Sequence, residues 1–276
     1  MTVTPINVFL AILIGMAASV LSGMFGIGGA TATTPSLRLF LHSTPQIALG
    51  TTLPVAIPTA IVGGYTYGRR GLVDWYAASY VCLGGIFGAV GGAMLTHWLN
   101  LHYLMILTGL IILYVAINNI VRGARGKEAA PVDGEAPPGE PEDGEESRRG
   151  SRPVALLVLA IGLVTGFYSG LLGVGGGVVM VPAFFYLLKM PLKKAIGTSL
   201  IGIAVIAIPG TIVHALLGHI SGLLFLFLII GVIPGAYLGA RITIKAGERL
   251  ISILLGCALA SFGVVFIVSE IIGLVR

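Results

Sequence analysis

Two short glycine-rich phrases hold the residues best suited to chemistry in this chain. They read Ser22-Gly-Met-Phe-Gly-Ile-Gly-Gly and Ser169-Gly-Leu-Leu-Gly-Val-Gly-Gly, and a proline follows each, Pro35 and Pro182. Gly26, Gly28, Gly29, Gly173, Gly175 and Gly176 tolerate positive φ and so permit a sharp turn inside an otherwise apolar run. A helix restarting after such a turn, at about Ala30 and Val178, opens with amides that have no intrahelical partner. Those amides, together with the positive end of the helix dipole, suit an anion. The missing Cβ lets a ligand approach closely, and Thr31, Thr33 and Thr34 offer hydroxyl donors. A second duplicated phrase, Gly50-Thr51-Thr52-Leu53 and Gly197-Thr198-Ser199-Leu200, follows about 20 residues later. Its hydroxyls can donate to a ligand or bond back to the carbonyl one turn earlier.

The elements that must position these residues are set by composition. Hydrophobic residues make up 56% of the chain and charged residues 10%, with a mean hydropathy of +1.01. Those values describe a polytopic membrane protein. The apolar runs are long and continuous, without the period-two alternation of a barrel strand, so the fold class is all-α. Eight stretches are expected: 5–41, 46–67, 75–96, 101–121, 153–188, 192–216, 222–244 and 249–274. The first of each half is too long for one span, since 36 residues of helix measure about 54 Å against a hydrocarbon core of about 30 Å. Each must break, and the glycine phrase lies near its middle. The count is therefore eight to ten helical elements. The first stretch has no basic residue ahead of it and has a counterpart in the second half, so it is kept in the fold and not read as a cleaved leader.

The halves are related by a constant shift of 147 residues. Gly15, Ser22, Gly26 and Pro35 meet Gly162, Ser169, Gly173 and Pro182, and Gly84, Gly88 and Gly92 meet Gly231, Gly235 and Gly239. Two homologous repeats are expected, residues 1–121 and 153–276, joined by a disordered, charged, cytoplasmic linker at 122–152. Basic residues between spans are complementary in the two halves. Inverted repeats, with both termini outside and the linker inside, leave only Arg38 and Arg276 of all Lys and Arg on the outer side. The expected location is the cell membrane, with the bilayer and a small anion as partners and no nucleic acid. A homo-oligomer is compatible with this reading.

Ionisable residues limit the mechanism. Asp74, Glu248 and Glu270 are the only acids outside the linker, and each lies near the end of an apolar stretch. His214 is the deepest ionisable group, while His42, His97, His102 and His219 sit in or beside connections without ligand spacing. Cys82 and Cys257 lie in separate apolar segments, so no metal site, disulfide or cofactor is expected. Gly84, Gly88, Gly92 and their partners have the four-residue spacing of a helix-packing face, and packing is also the alternative role for the turn glycines. An enzyme reading would pair Ser169 as nucleophile with His214 as base, but Ser22 has Tyr67 where a matching base should be. A dinucleotide fingerprint is a poorer fit, because no strand precedes the glycines.

The duplicated Gly-x-x-Gly-x-Gly-Gly followed by proline, the Gly-Thr-Ser/Thr-Leu phrase and the hydrophilic central loop resemble the sulfite exporter TauE/SafE family. The resemblance spans nearly the whole chain apart from the linker. It implies a non-enzymatic secondary transporter, an exporter of sulfite or a small organosulfur or carboxylate anion, with an anion channel as the alternative. It also implies that Gly26, Gly28, Gly29, Gly173, Gly175 and Gly176 lie at the transport site, with Pro35 and Pro182 shaping the helices that follow. Gly177 continues the second phrase, whereas the first has Ala30 there.

Overall fold

The computed structural model describes residues 5–41, 43–95, 110, 113–114, 116–117, 120–121, 152–173 and 175–275. Among these the protein is all-helical. The chain runs α1 (Pro5–Phe25), α2 (Ala30–Phe40), α3 (Pro45–Gly68), α4 (Trp75–Leu95), α5 (Arg152–Leu172), α6 (Gly177–Tyr186), α7 (Leu192–Leu216), α8 (Gly222–Lys245) and α9 (Glu248–Val275). Six of them, α1, α3, α4, α5, α7 and α8, are long and apolar enough to cross a membrane. The expected breaks fall between Phe25 and Ala30 and between Leu172 and Gly177. Most of the expected stretch 101–121, and the linker up to Ser151, lie outside the described residues.

The helices are apolar on nearly every face, which suits lipid on one side and protein on the other. Phe9, Leu83, Phe87, Leu156, Leu226 and Ile230 are exposed on the outer surface. Their burial cannot hold the helices together, because lipid is as apolar as leucine; close van der Waals contact between backbones must do so. Gly84, Gly88 and Gly92 supply it along one face of α4. A Cβ on each would strike the carbonyl oxygens of Leu159, Leu163 and Phe167 on α5. Gly231, Gly235 and Gly239 of α8 meet Ile12, Met16 and Val20 of α1 in the same way.

These contacts recur in exchanged form. A shift of 147 turns the α4–α5 set into the α8–α1 set, residue for residue. The same exchange relates Gly15 against Leu228 to Gly162 against Val81. At the centre α3 and α7 run antiparallel. Gly50, near the start of α3, lies against His219 just past the end of α7, and Gly63 lies against Leu200. Gly197, near the start of α7, lies against Tyr67 at the end of α3 and Leu72 in the connection that follows it.

Around the end of that pair where α7 begins, Asp74 accepts from the Ala77 amide at 3.1 Å and so caps α4, and its carboxylate lies 3.8 Å from Lys194 Nζ. Lys193 Nζ donates to the Ile244 carbonyl at 3.0 Å, closing the last turn of α8.

Candidate functional site: two facing glycine turns

Each turn is built by glycines in the left-handed region. Gly26 and Gly28 have φ of 65° and 80°, and Gly173 and Gly175 have 63° and 82°. A side chain at Gly26 or Gly173 would also run into backbone of the opposite half, Ile196 of α7 or Leu49 of α3. The turns part company at the next pair. Gly176 is left-handed with φ 70°, while Gly29 is right-handed with φ −52°. Positive φ is therefore not required at Gly29, although its sequence context matches that of Gly176.

The two turns touch. A Cβ on Gly175 would lie 3.5 Å from the Gly28 Cα and 3.8 Å from Ile203 Cγ2, and one on Gly177 would strike the Gly26 carbonyl oxygen. Ala30 at the matching place in the first half is accommodated and fully buried, so the equivalence of the two copies ends at this contact. The meeting point lies beside Thr59 and Ile203, near the middles of α3 and α7. From it α2 and α6, 11 and 10 residues long, lead away. Each is about 15 Å long, half the hydrocarbon thickness. Two helix N-termini thus converge on one buried point.

Hydroxyls from the central pair hold the turn carbonyls. Ser199 Oγ lies 2.8 Å from the Ile196 carbonyl and 3.0 Å from that of Gly26, and Thr52 Oγ1 lies 3.0 Å from the Leu49 carbonyl and 3.3 Å from that of Gly173, so each hydroxyl shares its one proton between its own helix and the opposite half. Thr34 Oγ1 lies 3.0 Å from Thr52 Oγ1. The amides of the turns are treated differently. Gly26 and Gly173 donate back to Ser22 and Ser169. Among the described residues no backbone carbonyl accepts from Ile27, Gly28, Gly29 or Ala30, nor from Gly175, Gly176, Gly177 or Val178, and all of these residues are buried. The hydroxyls of Ser22 and Ser169, buried one turn before the breaks, also lack a partner. An unpaired buried donor costs about 1–3 kcal/mol, so a cluster this size points to a ligand that completes it.

The residues expected from sequence therefore separate. The structure brings Gly26, Gly28, Gly29, Gly173, Gly175, Gly176 and Gly177 together, with Thr52 and Ser199 holding them from behind. Thr31 donates to the Ile27 carbonyl at 3.1 Å and Thr33 to Gly29 at 2.7 Å, so those hydroxyl protons are already used within the turn. Thr51 and Thr198 face away: they accept from the amides of Ser221 and Asp74 at 3.0 and 2.9 Å, anchoring the loops that start α8 and α4. Pro35 and Pro182 lie inside α2 and α6, where the missing N–H leaves the carbonyls of Thr31 and Val178 without their helical donor. Ser22 and Ser169 were not expected as ligand groups, although a serine opening both copies of the phrase was the available signal. His214 lies 3.4 Å from the Gly170 carbonyl and 3.2 Å from His219, not on Ser169, so this geometry forms no serine–histidine dyad.

A multi-pass helical bundle with broken helices meeting at its centre defines a membrane transporter as the class of protein. The chain matches the family Sulfite exporter TauE/SafE over residues 11–266 and belongs to it. Among its relatives, "Probable membrane transporter protein YunE" of Bacillus subtilis (strain 168) is 29% identical, over 92% of this chain and 97% of that protein. "Probable membrane transporter protein YjnA" of the same organism is 28% identical over 86% and 91%. A "Probable membrane transporter protein" of Xylella fastidiosa (strain 9a5c) is 27% identical over 85% of each. No solved structure matches.

Proposed function

We propose that the protein is a secondary transporter, an exporter, of sulfite or a small organosulfur or carboxylate anion held at the membrane midplane between the two glycine turns. The observation that carries this is the cluster of buried, unpaired amides facing one another across the Gly28–Gly175 contact, with Ser22 and Ser169 beside it. Anions are favoured because the unpaired amides are donors at the N-terminal ends of two helices, where the positive end of each dipole lies. The cargo is carried over from the family's description, since donors alone select charge and size but not sulfur chemistry. A fully buried site also favours alternating access over a continuous pore.

Binding of sulfite, sulfoacetate, thiosulfate and short carboxylates to the purified protein tests this reading directly. Alanine at Ser22 or Ser169 should weaken the anion that binds by roughly 10- to 100-fold, the value of one hydrogen bond to a charged group, while leaving thermal stability unchanged or raised. Unaltered affinity in both variants would remove the serines from the site.

The repeats are inverted in this proposal. Exchanged contacts under the 147-residue shift are those of a two-fold relation, and antiparallel α3 and α7 set its axis across the helices, in the membrane plane. The linker then lies in the cytoplasm and both termini outside, at the cell membrane. Single cysteines introduced into the linker and near residue 5, in a background without Cys82 and Cys257, should label from opposite sides of sealed cells. Labelling of both from one side would overturn the topology.

A further inference from the structure

The two copies of the turn are not equally polar. Ser19 and Thr59, both fully buried, stand beside the first turn: a Cβ on Gly29 would lie 3.1 Å from Thr59 Oγ1 and 3.7 Å from Ser19 Oγ. Their counterparts under the shift are Gly166 and Ile206, which have no side-chain oxygen. At the second turn the atoms nearest a Cβ on Gly176 are the Thr165 carbonyl oxygen and the Ser169 Cβ, while Ile206 packs against Gly85 of α4. Thr165 turns its hydroxyl back to the Ile161 and Gly162 carbonyls of its own helix.

The placement of the protons gives the Ser19–Thr59 pair its chemistry. Thr59 donates its one proton to the Val55 carbonyl at 2.8 Å, so Ser19 is the donor in the 3.3 Å contact between the two hydroxyls. Among the described residues no other group donates to either oxygen, which leaves Ser19 Oγ with both lone pairs open in a site closed to water. Ser22, three residues further on and so on the same face of α1, is buried without a partner. The first turn therefore sets hydroxyl acceptors beside its amide donors, and the second lacks that acceptor pair.

We propose that Ser19 and Thr59 set the specificity of the site for an anion that carries a hydroxyl group near its charged end. The proposal rests on the reading of the glycine turns as the anion site. The charged oxygens of such a ligand take the amides of the turns, and its hydroxyl donates to Ser19 Oγ. Thr59 is the positioning residue: by holding the Ser19 proton it keeps Ser19 an acceptor. An anion without a hydroxyl sets its own lone pairs against those of Ser19 with no proton between them, and binds less tightly for that reason.

The test is calorimetry on the purified full chain with two pairs of anions of equal charge, glycolate against acetate and isethionate against ethanesulfonate. In the wild type the hydroxylated member of at least one pair should bind roughly 3- to 10-fold more tightly, the value of one hydrogen bond between uncharged groups. Ser19→Ala removes the acceptor, and Thr59→Val keeps the shape of threonine without its oxygen; in each the ratio should fall to about one or below. Thr59→Ser, which retains the oxygen, should retain the preference. Equal affinity within both pairs in the wild type overturns the proposal, as does a preference that survives in Ser19→Ala or Thr59→Val. Failure to bind either hydroxylated anion while sulfite or thiosulfate binds also overturns it and leaves the glycine-turn reading standing. If the wild type binds no anion at all, that reading falls, and this proposal with it.

Discussion

Gly175→Val is expected to weaken anion binding by at least about 100-fold and to abolish transport, because an anion cut off from even two charge-assisted amide bonds loses about 3–6 kcal/mol. The structure makes this a test of the site more than of the fold. A Cβ at Gly175 would lie 3.5 Å from Gly28 Cα and 3.8 Å from Ile203 Cγ2, which is ordinary contact, so the first side-chain atom fits. The two methyls of valine then have only the gap between the turns to occupy, and that gap is where the unpaired amides meet. The residue must also hold φ near 82°, which costs a β-branched side chain about 1–2 kcal/mol or more. Gly71→Val controls for that strain: its φ is 69°, and nothing lies within 4 Å of its Cβ position. It should lose comparable stability and keep full binding. If Gly175→Val binds the anion as tightly as wild type, the ligand does not sit between the turns.

The second large effect is expected at the helix seam. Gly88→Leu should remove most folded protein from the membrane, or lower its melting temperature by roughly 10 °C or more, because α4 and α5 must separate to admit it. Its Cβ would strike the Leu163 carbonyl and lie 2.7 Å from the Phe167 amide, and neither backbone group can swing aside as a side chain would. Gly91→Leu, three residues along the same helix, should be nearly neutral: Gly91 is exposed, and nothing lies within 4 Å of the added carbon. The comparison is read as fluorescence-detected yield and melting temperature of the two variants side by side. Equal stability would mean that the glycine seam does not hold the helices together. The matching pair on α8 gives a replicate, since Gly235 meets the Met16 backbone as Gly88 meets that of Leu163.

Both predictions use glycines, yet the sequence distinguishes the two kinds. Gly84, Gly88 and Gly92 repeat every four residues inside a helical run, which places them on one face and reads as packing. Gly26, Gly28 and Gly29 cluster where a run exceeds the membrane thickness, which reads as a break. Those inferences were available because helix period, hydropathy and length are properties of local sequence. Hydroxyl roles were not. Thr51 and Thr52 are adjacent and equally suited to donate, but neighbours on a helix point about 100° apart. Packing turns Thr52 to the Gly173 carbonyl of the opposite half and Thr51 to the amide of Ser221. Ser22 and Ser169 are in plain view in the phrase, yet a hydroxyl without a partner is defined only once every other polar group has found one.

By itself the sequence determined the class of protein, the 147-residue correspondence between its halves and the two broken helices, all of which follow from composition and spacing along one chain. Only the tertiary structure decided that the two breaks meet. That contact joins Gly28 to Gly175 across two separate helix pairings, and its closeness depends on glycines elsewhere letting α1 reach α8 and α4 reach α5. No local pattern encodes a distance that is set by packing between segments far apart in the chain. The same holds for the histidine pair, where five residues of sequence separate His214 from His219 but the end of α7 turns their Nδ1 atoms toward each other at 3.2 Å.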